Sequence, residues 1–302
     1  MALTRVLLVR AGALGDLLLL RRTIAALQQA GRTVSLLAPS VPASALIGTG
    51  PGDVEEGLPW ESAGFAGLFA DGGLQDAIAA ERLRRYDAAV VYTRNAALAR
   101  NIGRLVPTVL QHDPEPPARG PHAAEWLASC LPAIGVHAKG IGVPLLIPSE
   151  EDQGRASAIA ADLPRGFLAI HPGSGSPAKN WPATRFGELV RSLGAARWLL
   201  VRGPADDAAA AVLQTAPGAR LARDLPLRVL AAVLARAGAY VGNDSGVTHL
   251  AAASGAPTIA LFGATDPRRW APLGPHVVVI GGAGTMEAIT LEEVAAAVAR
   301  LR

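Results

Sequence analysis

Ala239-Tyr-Val-Gly-Asn-Asp-Ser-Gly-Val-Thr-His-Leu-Ala-Ala-Ala253 is the stretch on which the reading of the fold turns. Its apolar start, Ala239 to Val241, predicts a strand that Gly242 and Asn243 break. Asp244 or Ser245 then caps a helix whose apolar positions include Val247, Leu250 and Ala251. Gly246 falls in the first turn, where the missing side chain leaves the backbone open to close approach. The unpaired amides of such a helix start, together with the positive end of the helix dipole, suit a phosphate. An ordinary capped helix explains this stretch alone equally well, so its surroundings must decide.

Outward from it, the same strand–turn–helix unit recurs. On the N-terminal side, strands are expected at 166–171 and 197–202, and on the C-terminal side at 257–262 and 276–280. Helices are expected between them near 183–193, 205–214 and 227–236, and a last one from Thr290 to Arg302. The first half repeats the alternation. Strands are expected at 5–10, 33–38 and 87–92, with helices from about Asp16 to Ala30, at 74–85, 96–104 and 122–134. Alternation of this kind predicts parallel sheets covered on both faces. The halves divide in the linker-like stretch from His137 to Ser149, giving domains 1–148 and 149–302. The four prolines between Asp113 and Pro121 predict an exposed loop.

Composition narrows the class. Half of the 302 residues are apolar but only 4% are aromatic, so the cores must rest on Ala, Leu and Val. Arg10 and Asp16 interrupt the N-terminal apolar stretch, and no apolar run is long enough to cross a membrane. The expectation is a soluble, cytoplasmic protein. Cys130 is the one cysteine, expected as a buried thiol, which leaves no disulfide framework and no cysteine metal site within the chain. A net charge of +3 without blocks of like charge gives no nucleic-acid tail. Of the 28 basic residues, Lys139 and Lys179 alone are lysine. A lysine in an arginine-using chain is informative, because it offers a compact point charge where arginine offers a planar fork.

Glycine turns follow three strands, at the carboxyl ends where ligands sit in such folds. Gly12-Ala-Leu-Gly15-Asp16 follows the first and lacks the full dinucleotide fingerprint. Asp16 there is either a helix cap or a carboxylate free to take a proton. His171-Pro-Gly-Ser-Gly-Ser-Pro-Ala-Lys179-Asn-Trp-Pro182 can curl its amides into an anion nest, with Lys179 neutralising what binds. It is not a P-loop, because no Gly-Lys-Ser/Thr follows. Asp206 and Asp207 follow the strand ending at Arg202, where a carboxylate can meet ribose hydroxyls. Ser245 and His249 lie one turn apart but outside a G-x-S-x-G elbow, which rejects a serine hydrolase. No Asp-x-Asp pair, H-E-x-x-H or EF-hand loop occurs, so no metal site and no cofactor are expected.

In combination and order, three segments resemble glycosyltransferase family 9, the ADP-heptose:lipopolysaccharide heptosyltransferases. They are Val6-Leu-Leu-Val-Arg-Ala-Gly-Ala-Leu-Gly-Asp16, His171 to Pro182, and Gly242-Asn-Asp-Ser-Gly-Val-Thr-His-Leu-Ala251; Gly263-Ala-Thr-Asp-Pro267 fits as well. The resemblance implies a GT-B architecture of two Rossmann-like α/β domains, the second holding the donor and the first the acceptor. It implies inverting transfer without a metal, from a nucleoside diphosphate sugar such as ADP-heptose to a glycolipid or oligosaccharide hydroxyl. On it, Asp16 matches the general base, with Gly15 beside it, and Lys179 matches the lysine that meets the diphosphate. Ser174 and Gly175 match the phosphate turn. Asp244, Ser245, Gly246, Val247 and His249 match the second donor turn, and Asp207 a ribose contact. A peripheral place on the cytoplasmic face of the inner membrane fits the same resemblance.

The sequence departs from the family pattern at Gly12 and Ala13, where serines are common. It departs again at Leu17-Leu-Leu-Leu-Arg-Arg22, where a Thr-x-Pro is usual. These departures fall on the side expected for the acceptor. Asp244 beside an anion site is expected to bond backbone amides or sugar hydroxyls. A sugar-nucleotide epimerase of similar two-domain build, and a nucleotide-sugar-binding protein without turnover, fit the same features.

Overall fold

The computed structural model describes residues 4–203, 207–282 and 284–301, with the side chains of 207–209 outside the described set. Two compact units divide between Pro144 and Leu145. The division precedes Pro148 because Leu145 to Ile147 pack on the second unit. The Leu146 amide donates to the Ala253 carbonyl, and Arg228 reaches the Ile147 carbonyl.

The first unit carries a five-stranded parallel sheet: β1 (Arg5–Arg10), β2 (Thr33–Ala38), β3 (Glu56–Pro59), β4 (Ala88–Tyr92) and β5 (Thr108–His112). Their order is β3-β2-β1-β4-β5, with Leu8 opposite both Leu36 and Val90. Every residue from Val6 to Val9 is fully buried, as a central strand covered on both faces requires.

The second unit carries β6 (Leu168–His171), β7 (Trp198–Arg202), β8 (Ala219–Arg223), β9 (Ala239–Asn243), β10 (Thr258–Phe262) and β11 (Val277–Gly281). The order is β11-β10-β9-β6-β7-β8, with Ile170 opposite both Val241 and Leu200. Trp181 and Phe186 meet edge to face at 4.9 Å within this unit's core. Both strand orders are of the Rossmann kind. In each, the direction of winding reverses beside the first strand, between β1 and β4 and between β6 and β9.

Several elements differ from expectation for local reasons. The helix expected from Asp16 to Ala30 is two, Leu14–Leu18 and Arg21–Gln29. The Leu20 amide reaches back only to Leu17, and that tightened turn lets all four leucines from Leu17 to Leu20 be buried. The helix expected over 122–134 ends at Ala128. A 3₁₀ turn, Leu131–Ile134, follows, with Pro132 unable to donate to a continuing helix. Gly242 and Asn243 do not break their strand but complete it. A Cβ on Gly242 would collide with the Tyr240 hydroxyl, so glycine is what lets that tyrosine lie over the strand. Cys130 is half-buried, and its burial pushes the thiol up to about 11. Among the described residues, no helix is long and apolar enough to cross a membrane.

Candidate functional site

In the second unit the expected residues gather at the carboxyl ends of the two strands that flank the winding reversal. Ser174, Gly175 and Lys179 follow β6; Asp244 to His249 follow β9. Buried Asn243 joins the two segments. Its Oδ1 accepts from the Trp181 amide at 3.0 Å, and its Nδ2 donates to the Pro172 carbonyl at 2.7 Å. The loop between them, which carries Lys179, is thereby pinned to the sheet. Sequence reasoning gave Asn243 only a part in ending the strand, although an asparagine directly after an apolar strand was the available signal.

Ser245 is the N-cap of the helix Gly246–Ala253, and the Asp244 carboxylate is not. The Ser245 Oγ lies 3.2 Å from His171 Nδ1 and 3.1 Å from Thr248 Oγ1. Thr248 in turn donates to the Asn243 carbonyl and lies 3.0 Å from the Tyr240 hydroxyl. This side-chain network orients the cap and leaves Gly246 and Val247 partly exposed at the helix start. His249 points to no open surface; it is 7% exposed. The Ser174 hydroxyl donates to the Ser176 carbonyl and accepts from the Ser176 amide, which tightens the turn under exposed Gly175.

Among the described residues the Asp244 side chain takes its hydrogen bond from a lysine and not from a backbone amide. Its Oδ2 accepts from Lys179 Nζ at 2.8 Å, with the carboxylate side chain 11% exposed and the lysine 42%. The pair offers its cation outward. Asp207 opens the helix Asp207–Leu213, but the carboxylate expected to meet a ribose, like Asp206, lies outside the described residues. A cavity of about 920 Å³ opens at the amino ends of the same sheet, lined by Asp162, Arg165 and Arg197 among others. None of the motif residues lines it.

In the first unit Asp16 is the third residue of the helix Leu14–Leu18, whose N-cap is Ala13. Its Oδ2 accepts from the Ala13 amide at 3.0 Å, and its Oδ1 accepts from Arg10 Nη2 at 3.1 Å. Arg10 ends β1 opposite Tyr92 of β4, which is where this sheet's winding reverses. Its side chain is 2% exposed and that of Asp16 34%. The loop closes tightly over the carboxylate. Gly12 has φ +145°, and a Cβ there would come within 2.6 Å of Asp16 Cβ. That close approach accounts for glycine where the family pattern often has serine. Gly15 lies within the helix, its carbonyl accepting from the Leu19 amide.

Arg21 and Arg22 do not form a surface of their own. Arg21 is fully buried; it donates to Asp53 Oδ1 at 2.6 Å and to the carbonyls of Pro51, Gly52 and Pro144. Arg22 pairs with Glu125 at 3.2 Å and also reaches the Ala138 carbonyl. Among the described residues, no three His, Cys, Asp or Glu side chains are grouped to hold a metal ion.

Residues 121–297 match the family model described as glycosyltransferase family 9 (heptosyltransferase). Lipopolysaccharide heptosyltransferase 1 of Pseudomonas aeruginosa is 32% identical over 205 residues, covering 62% of this chain and 56% of the relative. Lipopolysaccharide heptosyltransferase 2 of Salmonella typhimurium is 32% identical over 158 residues, 47% of this chain and 45% of the relative. The chain spans about half the length of these curated relatives. Among solved structures, E. coli ADP-heptose lps heptosyltransferase II aligns with a TM-score of 0.79 at 22% identity, covering 99% of this chain and 98% of that one. A glycosyl transferase family 9 structure from Veillonella parvula aligns with a TM-score of 0.78 at 20% identity, covering 100% and 98%. At such identities the likeness speaks for the fold, which is α/β and of GT-B class. A UDP-GlcNAc 2-epimerase from Methanocaldococcus jannaschii shares the build more loosely, with a TM-score of 0.50 at 12% identity. With a family model matched over more than half of its length, the chain belongs to glycosyltransferase family 9.

Proposed function

We propose that this chain is an inverting glycosyltransferase that moves a sugar from a nucleoside diphosphate to an acceptor hydroxyl without needing a divalent metal. The donor is ADP-heptose and the acceptor a saccharide hydroxyl of the lipopolysaccharide core. One observation supports this reading above the rest. At the winding reversal of one sheet an ammonium, Lys179, stands between two amide-rich turns; at that of the other a carboxylate, Asp16, stands with a third of its surface exposed.

The chemistry follows from those two charges. As the glycosidic C–O bond to the diphosphate breaks, its electron pair passes to the departing phosphate oxygen. Lys179 and the amides of the Gly173–Ser176 and Ser245–Val247 turns meet that growing charge. The acceptor oxygen attacks the opposite face of the sugar carbon and gives its proton to Asp16. A carboxylate acts as base here rather than as nucleophile, so the anomeric configuration inverts. No step in this sequence draws on a metal.

Two measurements test the reading. A thermal-shift panel of ADP, UDP, GDP, CMP and NAD should single out ADP, which at 100 times its Kd raises stability by about 2.7 kcal/mol. With ADP-heptose and a lipopolysaccharide-core oligosaccharide, free ADP should appear only when the acceptor is present, and its release should survive EDTA. Release of ADP that ignores the acceptor, or a strict Mg²⁺ or Mn²⁺ requirement, would overturn it.

A further inference from the structure

We propose that Arg10 is a positioning residue for the proton-accepting carboxylate of Asp16. This inference rests on the reading of Asp16 as the base and adds the residue that aims it. Arg10 is the one charged residue in the inner run of β1 that ends at its carboxyl edge, and its side chain is 2% exposed. Stability offers no reason for a guanidinium there. Burying a charge is costly, and its Nε is buried with no partner among the described residues. A well-packed neutral side chain of similar volume would hold the strand end at least as well.

What the guanidinium does instead is fix one geometry. Nη2 holds Asp16 Oδ1 at 3.1 Å, while Nη1 holds the Pro114 carbonyl at 3.1 Å, and the group lies 5.8 Å from the centre of the Tyr92 ring. Pro114 belongs to a loop that is itself anchored, since Trp126 Nε1 donates to the Asp113 carbonyl at 2.8 Å. The Ala13 amide takes the other carboxylate oxygen. Both oxygens of Asp16 are thus held from the protein side, while a third of the side chain stays exposed. The planar fork fixes an angle as well as a distance, which a lysine would not. A guanidinium offers donors and no acceptor, so it orients the carboxylate without taking the proton itself. Misalignment of a reacting group by about 1 Å costs roughly 10²-fold in rate.

The test is a double-substitution cycle on the full chain, using ADP-heptose and a lipopolysaccharide-core oligosaccharide as substrates. Arg10→Gln should lower kcat by roughly 10–100-fold. The KM for ADP-heptose and the calorimetric affinity for ADP should not change, because those contacts belong to the other unit. Arg10→Lys keeps the charge but reaches one acceptor, and it should recover part of the lost rate. Combined with Asp16→Asn, Arg10→Gln should cost little more than Asp16→Asn alone, since the two act as one device. If Asp16→Asn is slow and Arg10→Gln turns over normally per folded molecule, the proposal falls and the reading of Asp16 stands. Full additivity of the two losses overturns it as well. If Asp16→Asn itself keeps its rate, the reading of the base falls first. Should Arg10→Gln fail to fold, Arg10→Lys decides: a wild-type kcat in that variant overturns the proposal.

Discussion

The two winding reversals carry ion pairs of opposite polarity. In the first unit the cation is buried and the carboxylate looks out: Arg10 lies under Asp16. In the second the carboxylate is the more hidden partner and the cation looks out: Asp244 lies under Lys179. In each, the hidden partner also bonds backbone, Arg10 through the Pro114 carbonyl and Asp244 through its own amide to the Leu261 carbonyl. The same device thus presents a proton acceptor on one unit and a compact positive charge on the other. On the proposed function, the exposed member of such a pair carries the chemistry, and the buried member decides where it stands. The Arg21–Asp53 pair is the control, because both its members are hidden and neither can meet a ligand.

Removing the outward carboxylate strikes the comparison hardest. Asp16→Asn should reduce turnover by roughly 10²–10⁴-fold while ADP affinity holds. It also leaves Arg10 without its counter-charge, so the melting temperature should fall with it. Asparagine cannot serve two donors as the carboxylate does, and the loss is about 1–3 kcal/mol, toward the lower end because Asp16 is a third exposed. Rates normalised to folded protein separate the two effects; a variant slow only in proportion to its unfolded fraction would make Asp16 structural.

The control pair should behave in the opposite way. Asp53→Ala abandons a fully buried guanidinium and should cost about 3–5 kcal/mol, read as a lower urea midpoint, with kcat per folded molecule unchanged. A loss of rate without loss of stability would erase the distinction between hidden and exposed pairs. Lys179→Ala tests the other outward charge. Calorimetry should show ADP bound about 10–100-fold more weakly, the worth of a charge-assisted hydrogen bond. Unchanged affinity would remove Lys179 from the site. The smallest effect is expected at Ser245→Ala, which removes the cap from the helix Gly246–Ala253 and should lower stability by about 1 kcal/mol. Ser245→Gly should cost only a few tenths of that amount, and an equal loss in both variants would place the serine's worth in the His171 contact instead.

What could be read from the sequence follows burial. Central strand segments such as Val6–Val9 and Leu168–Ile170 lie under helices on both faces and show as unbroken apolar runs. Three strands gave no such signal: β3, β5 and β8. All three are edge strands. Glu56 and Pro59 bound β3, Gln111 and His112 end β5, and Arg220 and Arg223 interrupt β8. Half of their surroundings is solvent, so their composition is polar. The candidate residues on glycine turns were legible because they follow apolar strands and use glycine where a backbone must leave room for an anion. Their partners were not. Nothing in the local sequence says that Arg10 faces Asp16 rather than solvent, or that Asp244 lies under a lysine 65 positions away. Arg21, a departure from the family pattern that the sequence places beside the acceptor, proves to be core once Asp53 and the Pro144 carbonyl come within reach.

The fourth sheet edge, β11, differs from β3 and β8. Val277-Val-Val-Ile280 carries no charge and no proline, and it was legible for that reason. An edge strand exposes a row of unpaired backbone groups, and charge or proline is what keeps that row from recruiting another chain. Arg220 and Arg223 guard β8 in this way, and Pro59 guards β3; nothing in β11 does. If heat or acid loosens the helix Leu291–Leu301 that packs against it, strand-to-strand association between molecules is expected to begin at β11. A charged residue at Val278 or Ile280 would protect the unfolding protein from precipitation at some expense in the packing of its native core.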